Sequence, residues 1–235
     1  MPIENYYTQA PEGVRFSRRQ ASDFAKRIAG DFNPLHDQDA KLFCVPGDLL
    51  FSLVCSRYGI SQRMRFTFSG MVGDGVPLQL PETAGDRLLL TDSEGKEYLK
   101  VDRDGDHSSD PILISALTTR YVQFSGRTFP DILVPLMAEH GVMINPARPL
   151  VIYESMEIDM QRLDVQSLEL ELADSRLEVN GKRGRVQLTF HLLTEGQAIG
   201  SGSKYMSLRG LRPFEQEAVQ QMVDGYMAHK QAYDG

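Results

Sequence analysis

The chain has 235 residues, 41% of them hydrophobic and 24% charged. These are ordinary globular values, enough to bury a core in one large domain or two modest ones, and they set aside disordered and fibrous classes. A net charge of −7 argues against nucleic-acid binding, which calls for a basic face, and no apolar run is long enough to cross a bilayer. The polar stretch Met1 to Ala10 lacks the apolar centre of a signal peptide, and two cysteines, Cys44 and Cys55, make no disulfide framework. A cytoplasmic location is therefore expected.

The first predicted helix runs from Ser17 to Ala29. Ser17 is an N-cap type, Ala21, Phe24, Ala25 and Ile28 recur at helical spacing, and Gly30 stands at C′. Then comes Asp31-Phe32-Asn33-Pro34-Leu35-His36. The residue before proline is pushed out of the α region, and Asn33 favours a turn, so Asp31 and His36 can face the same side. A carboxylate and an imidazole placed in this way can hold and polarise one water, the first as base and the second as hydrogen-bond partner and proton donor.

The second helix opens at Pro46-Gly47-Asp48, carries Leu49, Leu50, Leu53 and Val54, and closes at Gly59. Strand signals follow at Met64–Phe68, Val76–Leu80, Arg87–Thr91 and Tyr98–Asp102, and strong ones at Ile112–Thr118 and Tyr121–Phe124. Ser93-Glu94-Gly95-Lys96 and Asp104-Gly105 read as hairpin turns. Asp102 to His107 hints at a calcium loop, but its glycine is misplaced and no closing glutamate follows, so a charged hairpin tip is expected there.

The order then repeats. Pro130-Asp131 opens an apolar helix with Ile132, Leu133, Leu136 and Met137, ended by Gly141, with Pro135 set to kink it or shift its start. Strands are predicted at Leu150–Ile158, Ser167–Leu172, Arg176–Asn180, Val186–Leu193 and Ala198–Leu208, with Asn180-Gly181 as a hairpin turn and Lys182 to Arg185 as its solvated tip. Ser125 to Phe129, ahead of the second apolar helix, offers neither carboxylate nor imidazole. Pro213 to Tyr233 reads as an amphipathic helix, expected to pack on its own domain. His140, His191 and His229 have no partners at ligand spacing, and no zinc, phosphate-loop or nucleophile-elbow motif is present.

Read with their flanks, Phe24 to His36, Pro46 to Ser52, and Arg65 to Phe68 followed by Val72-Gly73-Asp74-Gly75-Val76 resemble three blocks of the MaoC-like (R)-specific enoyl-CoA hydratases. In order over roughly residues 14–80, they form a specific pattern. The chain departs from it at Pro46, where the family usually has His, at Asp48, where an apolar residue is common, and in a shorter His36-to-Gly47 connection. The resemblance implies a hotdog fold. With the repeated plan it predicts an α+β double hotdog, two antiparallel sheets each wrapped around a central helix: residues 1–125 carrying the motif and 126–235 lacking it. It implies Asp31 as the base and His36 as its partner, with Asn33 and the Gly47 N–H on the substrate. It also implies a trans-2-enoyl thioester of coenzyme A or acyl carrier protein as substrate, and no metal or redox cofactor. Hydrolysis of an acyl thioester on the same fold, or an acyl- or protein-binding module without catalysis, are the other readings. A monomer or a homodimer is compatible with each.

Overall fold

The protein is described by a computed structural model over residues 2–233; Met1, Asp234 and Gly235 lie outside the described residues. It is a mixed α+β structure whose seven-stranded antiparallel sheet is packed on one face by helices. A short hairpin, β1 (Thr8–Ala10) and β2 (Gly13–Arg15), precedes α1 (Arg18–Asp23). Ser17 caps α1 through a full capping box with Gln20, and the helix continues as a π-helical stretch, Phe24–Ala29, to Gly30, which takes a left-handed φ of 68°. Next come α2 (Gly47–Tyr58), β3 (Ile60–Phe68), β4 (Arg87–Thr91) and β5 (Glu97–Ser108). The second half holds α3 (Pro111–Gly126), the irregular turn α4 (Thr128–Asp131), α5 (Leu133–Glu139) and the two-residue β6 (Val142–Met143). It continues through β7 (Leu150–Met160), β8 (Glu169–Asn180), β9 (Arg183–Thr194), β10 (Gln197–Arg209), β11 (Arg212–Pro213) and α6 (Gln216–Gln231).

Strand order is β4-β5-β3-β7-β10-β9-β8. In each half the first long strand after the helices, β3 or β7, sits at the centre, and the next, β4 or β8, goes to the outer edge. The two sets join where β3 pairs with β7, from Arg63 opposite Asp159 to Thr67 opposite Ser155, so a single continuous sheet replaces two separate ones. The inner face is apolar, with Phe66, Met156, Ile158, Leu188, Phe190 and Leu208 buried. The outer face alternates with it and carries charges such as Arg63, Arg65 and Glu157. A groove of about 350 Å³ lined by these charges runs along that outer face.

Between Asp48 and Cys55 every residue of α2 is buried, as befits a helix enclosed by sheet and helices. Phe51 sits at its hub, edge-on to Phe66 of β3 at 5.1 Å and to Tyr121 of α3 at 4.9 Å. Among the described residues no helix is long and apolar enough to cross a membrane.

Several expectations need correction. Ile112–Thr118 and Tyr121–Phe124 are not strands but one helix, α3. Their β-branched and aromatic content suggested strands, yet Asp110 caps the Ile112 N–H, Pro111 takes the first helical position, and Leu113, Leu117 and Tyr121 repeat every four residues on the buried side. The long buried helix of the second half is α3, and the segment opened by Pro130 yields only the irregular α4 and the short α5, where Pro135 falls in the first turn and needs no helical acceptor. Val76–Leu80 forms isolated bridges to Val14 and Thr91 instead of a strand, since Pro77 and Pro81 cannot donate to a ladder. Asp104-Gly105 is not a hairpin turn: it lies inside β5, where the pairing with β3 is irregular and Gly105 takes φ of 80°. Ser167–Leu172 and Arg176–Asn180 merge into the single strand β8, with a register shift between Leu172 and Asp174.

Candidate functional site

The Asp31–His36 turn is built by local chemistry and then locked by distant groups. After Gly30 the chain reverses; the Asp31 N–H bonds back to the Ala25 carbonyl at 2.8 Å, and Asp31 Oδ1 accepts the Asn33 N–H at 2.9 Å. Asn33 Oδ1 in turn accepts the Leu35 N–H at 3.1 Å, capping the single 3-10 turn Pro34–His36. Asn33 thus holds the turn. His36 Nδ1–H donates to the Cys44 carbonyl at 2.7 Å, which fixes the ring and leaves Nε2 facing Asp31 Oδ2 at 3.7 Å. The side chains of His36 and Asp31 are 13% and 26% exposed, so both are shielded without being sealed. Their separation is too long for a direct hydrogen bond and suits two groups that grip one water between them.

The short connection from His36 to Gly47 makes this geometry possible. The Cys44 N–H returns to the Leu35 carbonyl at 2.9 Å, and the Val45 N–H bonds to the Val72 carbonyl at 2.9 Å. Lys26, buried on the π-helical stretch, reaches Asp37 at 2.6 Å and Ser22 at 2.7 Å, tying down the residue after His36. Arg18 lies over the Phe43 ring and donates to the Gln38 and Ala40 carbonyls, while its own N–H is held by Asp74. The Val72-Gly73-Asp74 block thus braces the loop that orients His36.

Gly47 begins α2, and its N-cap, Pro46, supplies no side-chain cap. A Cβ at Gly47 would lie 3.0 Å from Tyr153 Cδ1 and 3.1 Å from Phe68 Cε1, so this helix start is roofed by the Phe68–Tyr153 ring pair. Asp48 follows and is only 7% exposed, with its Oδ1 buried and unpartnered. Burial pushes its carboxyl up, the Lys204 ammonium and the Ser125 hydroxyl pull it down, the Asp31 charge raises it, and His36 lowers it. Lys204, 5% exposed, donates to Ser125 Oγ at 2.5 Å and lies 4.5 Å from the centre of the Tyr153 ring. Burial pushes the Lys204 ammonium down, against the opposing pull of Asp48 and Asp31. The Tyr153 hydroxyl is hydrogen-bonded to that of Tyr121.

The turn therefore brings Asp31, Asn33 and His36 together, and the charges of Asp31 and His36 act on Asp48, which follows Gly47. Sequence reasoning missed Lys204, Ser125, Tyr121 and Tyr153, and gave Asp48 no chemistry. Only the periodicity of α3 could have put Tyr121 and Ser125 on the face turned inward. The terminal helix is also closer to the site than expected: the Tyr226 hydroxyl accepts the Phe32 N–H at 3.2 Å and donates to the Gly30 carbonyl at 3.3 Å. It packs on the motif turn as well as on the second half, where it meets Phe129. Cys44 and Cys55 are free thiols, and burial pushes Cys44 up to about 11 and Cys55 higher still.

A family model described as "Protein of unknown function (DUF3581)" matches residues 1–217. No curated protein sequence matches. Among solved structures the chain is similar to an acyl-CoA thioesterase II from Mycobacterium marinum, at 11% identity and a TM-score of 0.43 over 92% of this chain and 99% of that one. It is also similar to a MaoC-like dehydratase, at 11% identity and a TM-score of 0.44 over 88% and 98%. A third is the peroxisomal multifunctional enzyme type 2 of Drosophila melanogaster, at 11% identity and a TM-score of 0.41 over 83% and 47%.

Proposed function

We propose that this chain, which belongs to the DUF3581 family, hydrates a trans-2-enoyl thioester carried on coenzyme A or acyl carrier protein. The observation that carries the reading is the Asp31–His36 pair, 3.7 Å apart, with His36 fixed through Nδ1 so that Nε2 faces the carboxylate. Asp31 takes a proton from water as its oxygen adds to the β carbon. Electron density passes through the double bond to the thioester oxygen, which the Gly47 N–H stabilises at the uncapped start of α2. His36 holds the water through Nε2, and the proton taken up by Asp31 passes to the α carbon with His36 assisting, so that the pair ends as it began. Asn33 serves by keeping the turn closed, and Phe68 and Tyr153 line the approach to Gly47.

In the same reading the two strand sets are two hotdog units with α2 and α3 as central helices. The join expected near residue 125 then moves to the turn before Pro111, and the unit without the motif walls the site of its neighbour. Crotonyl-CoA and a longer trans-2-enoyl-CoA, followed by loss of the enoyl absorbance with free thiol assayed in parallel, test the function. Loss of absorbance without thiol, abolished in Asp31→Asn, is the expected result. Thiol release moves the assignment to hydrolysis, with water attacking the carbonyl carbon instead. Silence in both channels leaves a binding module.

A further inference from the structure

Lys204 is a long cation on a central strand whose ammonium is buried inside the molecule, where an uncompensated charge is costly. Every group that faces it belongs to the candidate site or its wall. Ser125 at the last turn of α3 accepts its hydrogen bond at 2.5 Å, Tyr153 of β7 offers its ring face at 4.5 Å, and the charges of Asp48 at the start of α2 and Asp31 in the motif turn act on it. Tyr121 of α3 completes the wall through its hydroxyl contact with Tyr153, and the His36 charge also acts on Asp48. Asp48 Oδ1 has no partner, so an electrostatic one matters more than usual. The Tyr153 ring carries Lys204 on one face and lies against Gly47, which brings the ammonium to the start of α2 where Asp48 stands.

We propose that Lys204, supplied by the half that carries no copy of the Asp31–His36 turn, is a positioning residue of this site: held between Ser125 and the Tyr153 ring that roofs Gly47, it offsets the buried carboxylate of Asp48 at the start of α2. The chemistry follows from the charges. The Asp31 charge opposes ionisation of Asp48, and a nearby cation relieves that opposition, leaving a base free to accept a proton from water. This role rests on the thioester reading only for its catalytic consequence; the charge coupling stands apart from it.

Carbon-13 labelling of aspartate in the full chain lets the Asp48 carboxyl be titrated by NMR, with the resonance assigned by its loss in Asp48→Asn. In Lys204→Met the Asp48 midpoint should move further up by about one unit or more, whereas Lys204→Arg should hold it near the wild-type position. An unchanged midpoint in Lys204→Met overturns the proposal. With a trans-2-enoyl-CoA as substrate, the acid limb of the kcat/KM profile should move to higher pH in Lys204→Met, giving about a tenfold loss at low pH and little loss at high pH. An equal loss at every pH would mark a merely structural lysine and count against it. A wild-type protein inert toward enoyl thioesters would overturn the function proposed above, and the carboxyl titration would still decide Lys204. Should Lys204→Met fail to fold, Lys204→Met with Asp48→Asn removes both buried charges. Recovery of the fold in that double variant supports the coupling, and no recovery overturns it.

Discussion

The two halves start their central helices differently. The start of α3 lies toward solvent and is satisfied by its own chain: Asp110 accepts the Ile112 N–H at 2.9 Å, and Pro111 removes one donor. The start of α2 is buried under Phe68 and Tyr153, has Pro46 at its N-cap with no side-chain acceptor, and places the unpartnered Asp48 Oδ1 beside it. A helix start leaves several N–H groups without partners inside the helix. At α3 a side chain caps them; at α2 the Leu49 N–H turns back to the Pro46 carbonyl at 3.0 Å and no side chain caps the start. The contrast teaches that two buried helices of one chain can start in opposite ways, one capped by its own chain and one left without a side-chain cap beneath two aromatic rings. The half that holds α3 places Lys204, Ser125 and Tyr153 beside the start of α2.

Four changes would break or sharpen this contrast. Asp31→Asn should lower turnover of a trans-2-enoyl-CoA by about a hundredfold or more, with the melting temperature little changed, as read by initial rates and calorimetry. Turnover at the wild-type rate would remove the chemistry from the first half. Gly126→Ala tests how the halves meet. Its new Cβ would lie 2.0 Å from the Ala29 carbonyl oxygen, so α3 and the π-helical stretch ahead of Asp31 must part. A loss of about 2 kcal/mol in urea unfolding is expected.

Cys44 in the connecting loop gives a pH-dependent effect. Its thiol is held up to about 11 by burial, above the unfolded value of 9.0. The native state therefore keeps its proton where the unfolded chain has lost it. Its contribution is fully present below pH 9 and declines as pH rises from 9 toward 11, by about 1.4 kcal/mol per unit. The difference between wild type and Cys44→Ser, measured by urea unfolding at pH 8 and pH 10, isolates that slope. Smallest is Asp110→Ala, which should cost about 1 kcal/mol by uncapping α3 and leave turnover untouched. A drop in turnover from that change would mean that the start of α3 is not mere scaffold.

Much of this was legible because it is local. Ser17 and Gly30 bound the first helix; Pro46 and Gly59 bound α2; and Asp31 and His36 come within 3.7 Å inside six residues, with Asn33 and Pro34 shaping the turn between them. The strands β3, β4, β7, β9 and β10 announced themselves by alternation. The core helix α3 was hidden because Ile, Thr, Tyr and Phe suggest strand by content, while the Asp110-Pro111 cap and the four-residue spacing of Leu113, Leu117 and Tyr121 say helix by position. Lys204 was not legible at all. Nothing within the stretch from Ser201 to Ser207 marks one lysine as buried, since its partners are brought to it from 79 residues away by sheet pairing and helix packing.

The five-pair seam between β3 and β7 has a bearing on how the chain is made. During synthesis the N-terminal strands emerge first, and β3 then presents an open edge until β7 is released some ninety residues later. Open edges invite pairing with other chains, and charged side chains on such a strand discourage it. Arg63 and Arg65 on β3 are positioned as guards for that interval, before Glu157 of β7 arrives to meet Arg65 at 3.4 Å. Nascent chains halted before β7 should therefore be the most aggregation-prone species this protein ever forms, and replacing both arginines by apolar residues should worsen its yield on expression more than its final stability.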